Sequence, residues 1–169
     1  MNLQELNSLP DEEAFSELLR CCGSSRWVAE MVRRRPFRNT EELAGMGDTA
    51  WKELAPADWK EAFAHHPQIG DKESLRKKFA STQQWAEGEQ SGINAASDDM
   101  LEDLANGNED YRRKFGYIFI VFASGKSADE MLQILRRRLN NRPEDELLVA
   151  AEEQRKITRM RLQKLIDEA

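Results

Sequence analysis

The 169-residue chain has only two histidines, and they stand side by side at His65-His66, directly before Pro67. Proline pushes the residue before it out of the α region, so the His66 side chain should leave the helix on which Trp59 and Phe63 sit four apart. An imidazole near its usual pKa of ~6.5 in a cleft can serve as acid or base. The same pair also suits a C-terminal helix cap with an exposed neighbour, which the macrodipole favours. Farther on, Glu87-Gly88-Glu89-Gln90-Ser91-Gly92 combines carboxylates, an amide and glycines that let backbone approach a ligand. Glu89 with Gln90 could place a carboxylate and a bidentate amide on one small molecule, or could simply be a solvated helix end. Arg161 lies four residues from both Ile157 and Leu165 and beside Leu162, so its guanidinium points along a largely apolar stripe. A buried anion or polar substrate would suit it, as would snorkelling to solvent or pairing with an acid of a neighbouring helix.

Other chemistries find little support. Gly125-Lys126-Ser127 resembles the end of a phosphate loop, but the position five residues earlier is Ile120 rather than glycine. No His-Glu-x-x-His or paired-cysteine motif exists, so a tightly held zinc has no ligand set. Adjacent Cys21 and Cys22 cannot close a useful loop and read as reduced thiols. The triads Arg33-Arg34-Arg35, Arg112-Arg113-Lys114 and Arg136-Arg137-Arg138 read as solvated helix faces. With 25 basic and 31 acidic residues the formal charge is -6, the wrong sign for a protein whose main task is to neutralise phosphates. No apolar run approaches the ~18 residues of a membrane span.

The elements that must position these groups read as helices. Hydrophobic residues make up 40% of the chain, enough for one sizeable core, and only 9 glycines and 5 prolines punctuate it. We expect a single domain over residues 1–169, all-α, a compact bundle of about eight to nine helices with a short extended apolar segment. Helices are expected from Pro10, from Ser24 or Ser25 to before Pro36, from Thr40, from Asp48 and from Pro56 to Pro67. Another should open at Ser97 and close at Asn106-Gly107-Asn108, with Tyr111 and Phe115 on a separate turn ended by Gly116. Tyr117 to Ala123 is too short to assign by periodicity and is either a buried extended segment or buried helix. Ser127-Ala128-Asp129-Glu130 signals a capping box, and a last helix should run from Pro143 to about Ile166.

Several blocks, in order, resemble one known family. Ala64-His65-His66-Pro67-Gln68-Ile69-Gly70 is similar to the "AHPxIG" signature of the 2-oxo-4-hydroxy-4-carboxy-5-ureidoimidazoline (OHCU) decarboxylases, which complete the conversion of urate to (S)-allantoin. Glu89-Gln90-Ser91-Gly92 resembles the family's Glu-Gln-x-Gly, and Tyr111 with Lys114-Phe115-Gly116 and Phe119-Ile120 resembles its Tyr-x-x-Lys-Phe-Gly-x-x-Phe-Ile. Ala123 to Ser127, Lys156-Ile157 with Arg161-Leu162, and Trp27 with Arg35-Pro36-Phe37 extend the likeness over nearly the whole chain.

The resemblance implies His66 and Glu89 as catalytic residues and Gln90 and Arg161 as substrate-binding residues. It also implies a pocket lined by Pro67 and by the backbone of Phe119, Ile120 and Val121, and a homodimer. One departure is Ala86, where the family often has a serine three residues before the glutamate. The implied reaction is a decarboxylation without metal or cofactor, because the substrate's ring C=N and carbonyl can accept the electrons that carbon dioxide leaves behind. A histidine and a carboxylate can share the proton handling. Other readings are a homologous enzyme acting on another ureido or imidazolone compound, and a catalytically silent helical interaction module. The start lacks a secretory pattern and the end lacks a Ser-Lys-Leu address, so a cytoplasmic location is expected, with neither nucleic acid nor membrane as partner.

Overall fold

The computed structural model describes residues 1–67, 73–77 and 90–167, with the side chains of 90–97 outside that description. Among the described residues these helices have defined bounds: α1 (Leu3–Ser8), α2 (Asp11–Leu19), α3 (Ser25–Arg33), α4 (Thr40–Lys52), α5 (Pro56–Ala64), α6 (Gln90–Phe115), α7 (Ala128–Arg138) and α8 (Pro143–Asp167). A further helical stretch occupies 73–77, and no strand occurs among the described residues. The all-α expectation and the helix number both hold. The chain divides into two compact units, one of Met1–His66, Ile120–Phe122 and Leu147–Ala169, the other of Pro67–Phe119 and Ala123–Glu146.

In the first unit each helix start has a local cause. Asn2 caps α1, accepting from Glu5 N at 2.8 Å, while Glu5 returns a bond to Asn2 N at 2.8 Å. This six-residue helix went unforeseen because it carries too few apolar positions to show a period. Pro10 is the N-cap of α2 rather than its first helical residue. Arg35, which was expected on a solvated face, instead reaches back to the Leu6 and Leu9 carbonyls at 2.8 and 2.7 Å, closing the C-terminal end of α1. The core gathers Leu6, Leu18, Trp27, Met31, Leu43 and Phe63, all at most 1% exposed.

Residues expected to open two short helices form the single α4. Asp48 is no cap. Its carboxylate receives Arg155 of α8 at 3.2 Å and Arg159 of α8 at 2.7 Å, so it points across to another helix. Gly47 lies in the middle of α4 for a packing reason. The Trp27 indole N–H donates to its carbonyl at 3.0 Å, and a β-carbon there would stand 3.2 Å from Leu162 Cδ1. The Trp51 indole N–H in turn donates to Ala151 O of α8 at 2.9 Å.

In the second unit α6 runs unbroken where two segments were expected. Gly107 does not stop it, because that glycine faces α7: a β-carbon would meet Leu135 Cδ2 at 2.6 Å. The stop comes at Gly116, whose φ of +86° no other residue type adopts cheaply. Ser127 then caps α7, accepting from Glu130 N at 3.2 Å, as its motif promised. A second arginine triad departs from its expected solvated face, because Arg138 turns inward and is 6% exposed. Tyr117 to Ala123 contains no helix, so the extended alternative is the one observed, with Ile120 and Val121 buried.

Candidate functional site

The histidine pair separates as the proline geometry requires. His65 is the C-cap of α5 and is exposed, and its β-carbon covers Gly23 so closely that a side chain at that glycine would overlap it. His66, one residue on, is half-buried, with its N–H donating to Phe63 O at 3.3 Å. Its ring turns to α8, where Nε2 stands 2.5 Å from Gln154 Oε1. The Gln154 amide is fully buried and donates from Nε2 to Thr158 Oγ1 at 3.1 Å.

Thr158 approaches the Cys22 thiol, where its hydroxyl partly offsets the upward push of burial. Three residues beyond Thr158, on the same side of α8, stands Arg161. It is half-buried and forms no ion pair among the described residues, and its charge is felt by both Cys21 and Cys22. A guanidinium held this way offers its forked donors to an anionic or carbonyl-bearing ligand.

The same helix anchors the extended segment. Phe122 N donates to Glu153 Oε1 at 3.3 Å, which holds Ile120 and Val121 within the first unit. Helix α8 therefore carries the partner of His66, the anchor of the Ile120–Val121 backbone, and Arg161. From Gln154 to Arg161 the rise is about 10 Å, the span of a small heterocycle with its substituents.

The remaining expected residues are placed separately. Pro67 is exposed and Phe119 half-buried, and both belong to the second unit. Phe119 packs edge-on to Tyr111 with ring centroids 5.3 Å apart, and the Arg138 guanidinium lies 4.7 Å from its centroid. Gln90 is the first residue of α6, its side chain outside the described residues. Glu89, Ala86 and the stretch from Gln68 to Gly70 lie outside the described residues altogether. Gln154 and Thr158 were missed by sequence reasoning. The available signal was their spacing, since they precede Arg161 by seven and three residues on the apolar stripe that had already singled that arginine out.

Cys21 and Cys22 are free thiols at the base of this network, 2% and 0% exposed. Burial drives Cys21 up to about 12 and Cys22 up to about 11, so the reactive thiolate is scarce at neutral pH. In a colorimetric thiol titration at pH 8 the native protein should react slowly, and both thiols should react at once in denaturant. Fast labelling of the folded protein would contradict this placement. Among the described residues no group of three or more His, Cys, Asp or Glu side chains could hold a metal ion.

Comparison with known proteins bears on the whole arrangement. The family model described as OHCU decarboxylase matches residues 7–163. A crystal structure of OHCU decarboxylase in the presence of (S)-allantoin superimposes with a TM-score of 0.72 at 35% identity, covering 94% of this chain and 99% of that one. The uric acid degradation bifunctional protein TTL of Arabidopsis thaliana is 37% identical over 148 residues, which are 88% of this chain and 46% of that protein's length. The chain thus spans less than half of that plant relative. The 2-oxo-4-hydroxy-4-carboxy-5-ureidoimidazoline decarboxylase of Haloferax volcanii is 26% identical over 166 residues, 96% of this chain and 94% of that protein.

Proposed function

The chain belongs to the OHCU decarboxylase family, and we propose that it removes carbon dioxide from OHCU to give (S)-allantoin in the breakdown of urate. The observation that carries this reading is the α8 face on which Gln154 holds His66 and Arg161 stands half-buried without an acidic partner among the described residues. As a carboxy-lyase the protein must orient the leaving carboxylate, stabilise charge on the ring and deliver a proton to one face only. Breaking the C–C bond sends its electron pair into the adjacent ring C=N and carbonyl system, so the substrate itself is the electron sink. The ionised carboxyl leaves as carbon dioxide without a proton, so the ring must take one up, and His66 with Glu89 handles its delivery to the ring carbon. His66 acts at the hydroxyl and carboxylate end.

Arg161 and Gln90 fix the ureido and imidazolone groups, and Pro67 with the Phe119, Ile120 and Val121 backbone lines the pocket. The family match from 7 to 163 spans residues of both compact units, which supports treating 1–169 as one functional domain. The reading extends to a homodimer and to the cytoplasm. No helix among the described residues is long and apolar enough to cross a membrane.

The test is direct. Freshly generated OHCU, followed by circular dichroism, should become optically active allantoin much faster with the protein than by spontaneous decay, and dialysis against a strong chelator should leave that rate unchanged. A rate equal to the spontaneous one would overturn the activity. A loss restored by zinc or manganese would overturn its metal independence.

A further inference from the structure

We propose that Glu153 is a positioning residue for substrate: by holding the Phe122 N–H it fixes the plane of the Val121–Phe122 peptide and aims the Val121 carbonyl at an N–H group of a ureido or imidazolone ligand. The proposal rests on the reading in which the Ile120 and Val121 backbone lines the pocket. Residues 117–123 form neither helix nor strand, so no regular ladder sets the direction of their peptide groups. Ile120 and Val121 are 2% and 9% exposed, which keeps the segment in place but does not orient it, because apolar burial is non-directional. A hydrogen bond does orient it.

Glu153 supplies that bond with a charge. Its Oε1 accepts from Phe122 N at 3.3 Å, while Oε2 accepts from Lys156 Nζ at 2.8 Å, about one turn on along α8. The lysine is 47% exposed, so the ion pair contributes little attraction of its own, but it occupies one carboxylate oxygen and leaves the other toward the segment. Across a trans peptide the C=O points opposite to the N–H, so the Val121 carbonyl faces away from Glu153. That carbonyl accepts no hydrogen bond among the described residues. Gln154, the next residue on α8, holds His66, and both anchors belong to the first unit together with what they hold. Two consecutive residues of one helix thus fix two of the chain segments assigned to the pocket.

Amide hydrogen exchange and steady-state kinetics test this together. Glu153→Leu, which removes the acceptor, should speed exchange of the Phe122 amide by roughly 10-fold or more, the scale of losing a hydrogen bond to a charged group. Glu153→Gln, whose amide oxygen accepts the same N–H, should restore most of the protection. In the decarboxylase assay Glu153→Leu should raise KM by roughly 10-fold with a smaller change in kcat, as expected when a contact made alike in ground and transition states is lost. Glu153→Gln should return KM most of the way. Glu153→Ala replaces the leucine variant if that one does not fold. Unchanged exchange at Phe122 in the folded variant would overturn the proposal. Faster exchange with a wild-type KM would reduce the bond to a structural one and overturn it as well, and so would a KM rise that glutamine does not relieve. Exchange needs no turnover, so a wild-type protein that protects Phe122 through Glu153 yet leaves OHCU to its spontaneous decay would count against the decarboxylase reading and not against the tether.

Discussion

Replacing His66 with alanine should lower kcat by roughly 10²-fold or more, the usual scale for loss of a general acid-base group, while His65→Ala should change it little. The two rings are neighbours in sequence but not in environment. His65 ends α5, is exposed, and covers Gly23 with its β-carbon, which alanine retains. Its charge at a helix C-terminus contributes a few tenths of a kcal/mol through the dipole. His66 is turned by the following proline toward α8 and is tied to the buried Gln154 amide. Removing its ring would delete the group proposed to handle the proton and leave Gln154 Oε1 without its imidazole partner, yet opens no large hole in the core. Both variants should therefore keep their helical circular dichroism. Steady-state kinetics on the two folded proteins decide the matter, and comparable activities, or a greater loss in His65→Ala, would remove His66 from the reaction.

What the sequence makes legible here is local. The caps at Ser24 and Ser127, the helix-ending glycine at 116 and the histidine-proline junction are written within four or five residues, and they appear where the motifs place them. The capping box at Ser127 needs only its own Glu130. Residues whose partners are far along the chain are different. Asp48 looks like a cap in its own segment and proves to be the anion for Arg155 and Arg159, 107 and 111 positions away. Gly107 looks like a stop and proves to be the contact that lets Leu135 approach α6. The same limit divides the candidate site. Arg161 announces itself by standing on an apolar stripe, whereas Gln154 is ordinary until His66, 88 positions earlier, is seen against it. The catalytic part assigned to Glu89 rests on the family pattern rather than on geometry.

Arg138 shows the same limit with the largest energetic consequence. It belongs to a triad that reads as a solvated face, but its side chain is 7% exposed and pairs with Glu146, which is 0% exposed. The Arg138 Nε also reaches Glu146 Oε2 at 3.2 Å, and the Tyr111 hydroxyl donates to Glu146 Oε1 at 3.1 Å. Burial pushes the Tyr111 phenol well above its ordinary range, so it stays a donor at any working pH. Such a pair stabilises little against an apolar replacement of equal volume, because desolvation offsets the attraction, but breaking one half strands a charge. Arg138→Met and Glu146→Leu should each cost about 3–5 kcal/mol in urea unfolding followed by circular dichroism, and the double variant should recover most of that loss. The guanidinium also lies over Phe119, with its carbon 4.7 Å from the ring centroid, so the same substitution removes a cation–π contact as well. If either single variant cost under about 1 kcal/mol, the exposed-pair range, the buried pair would not be what holds this corner together.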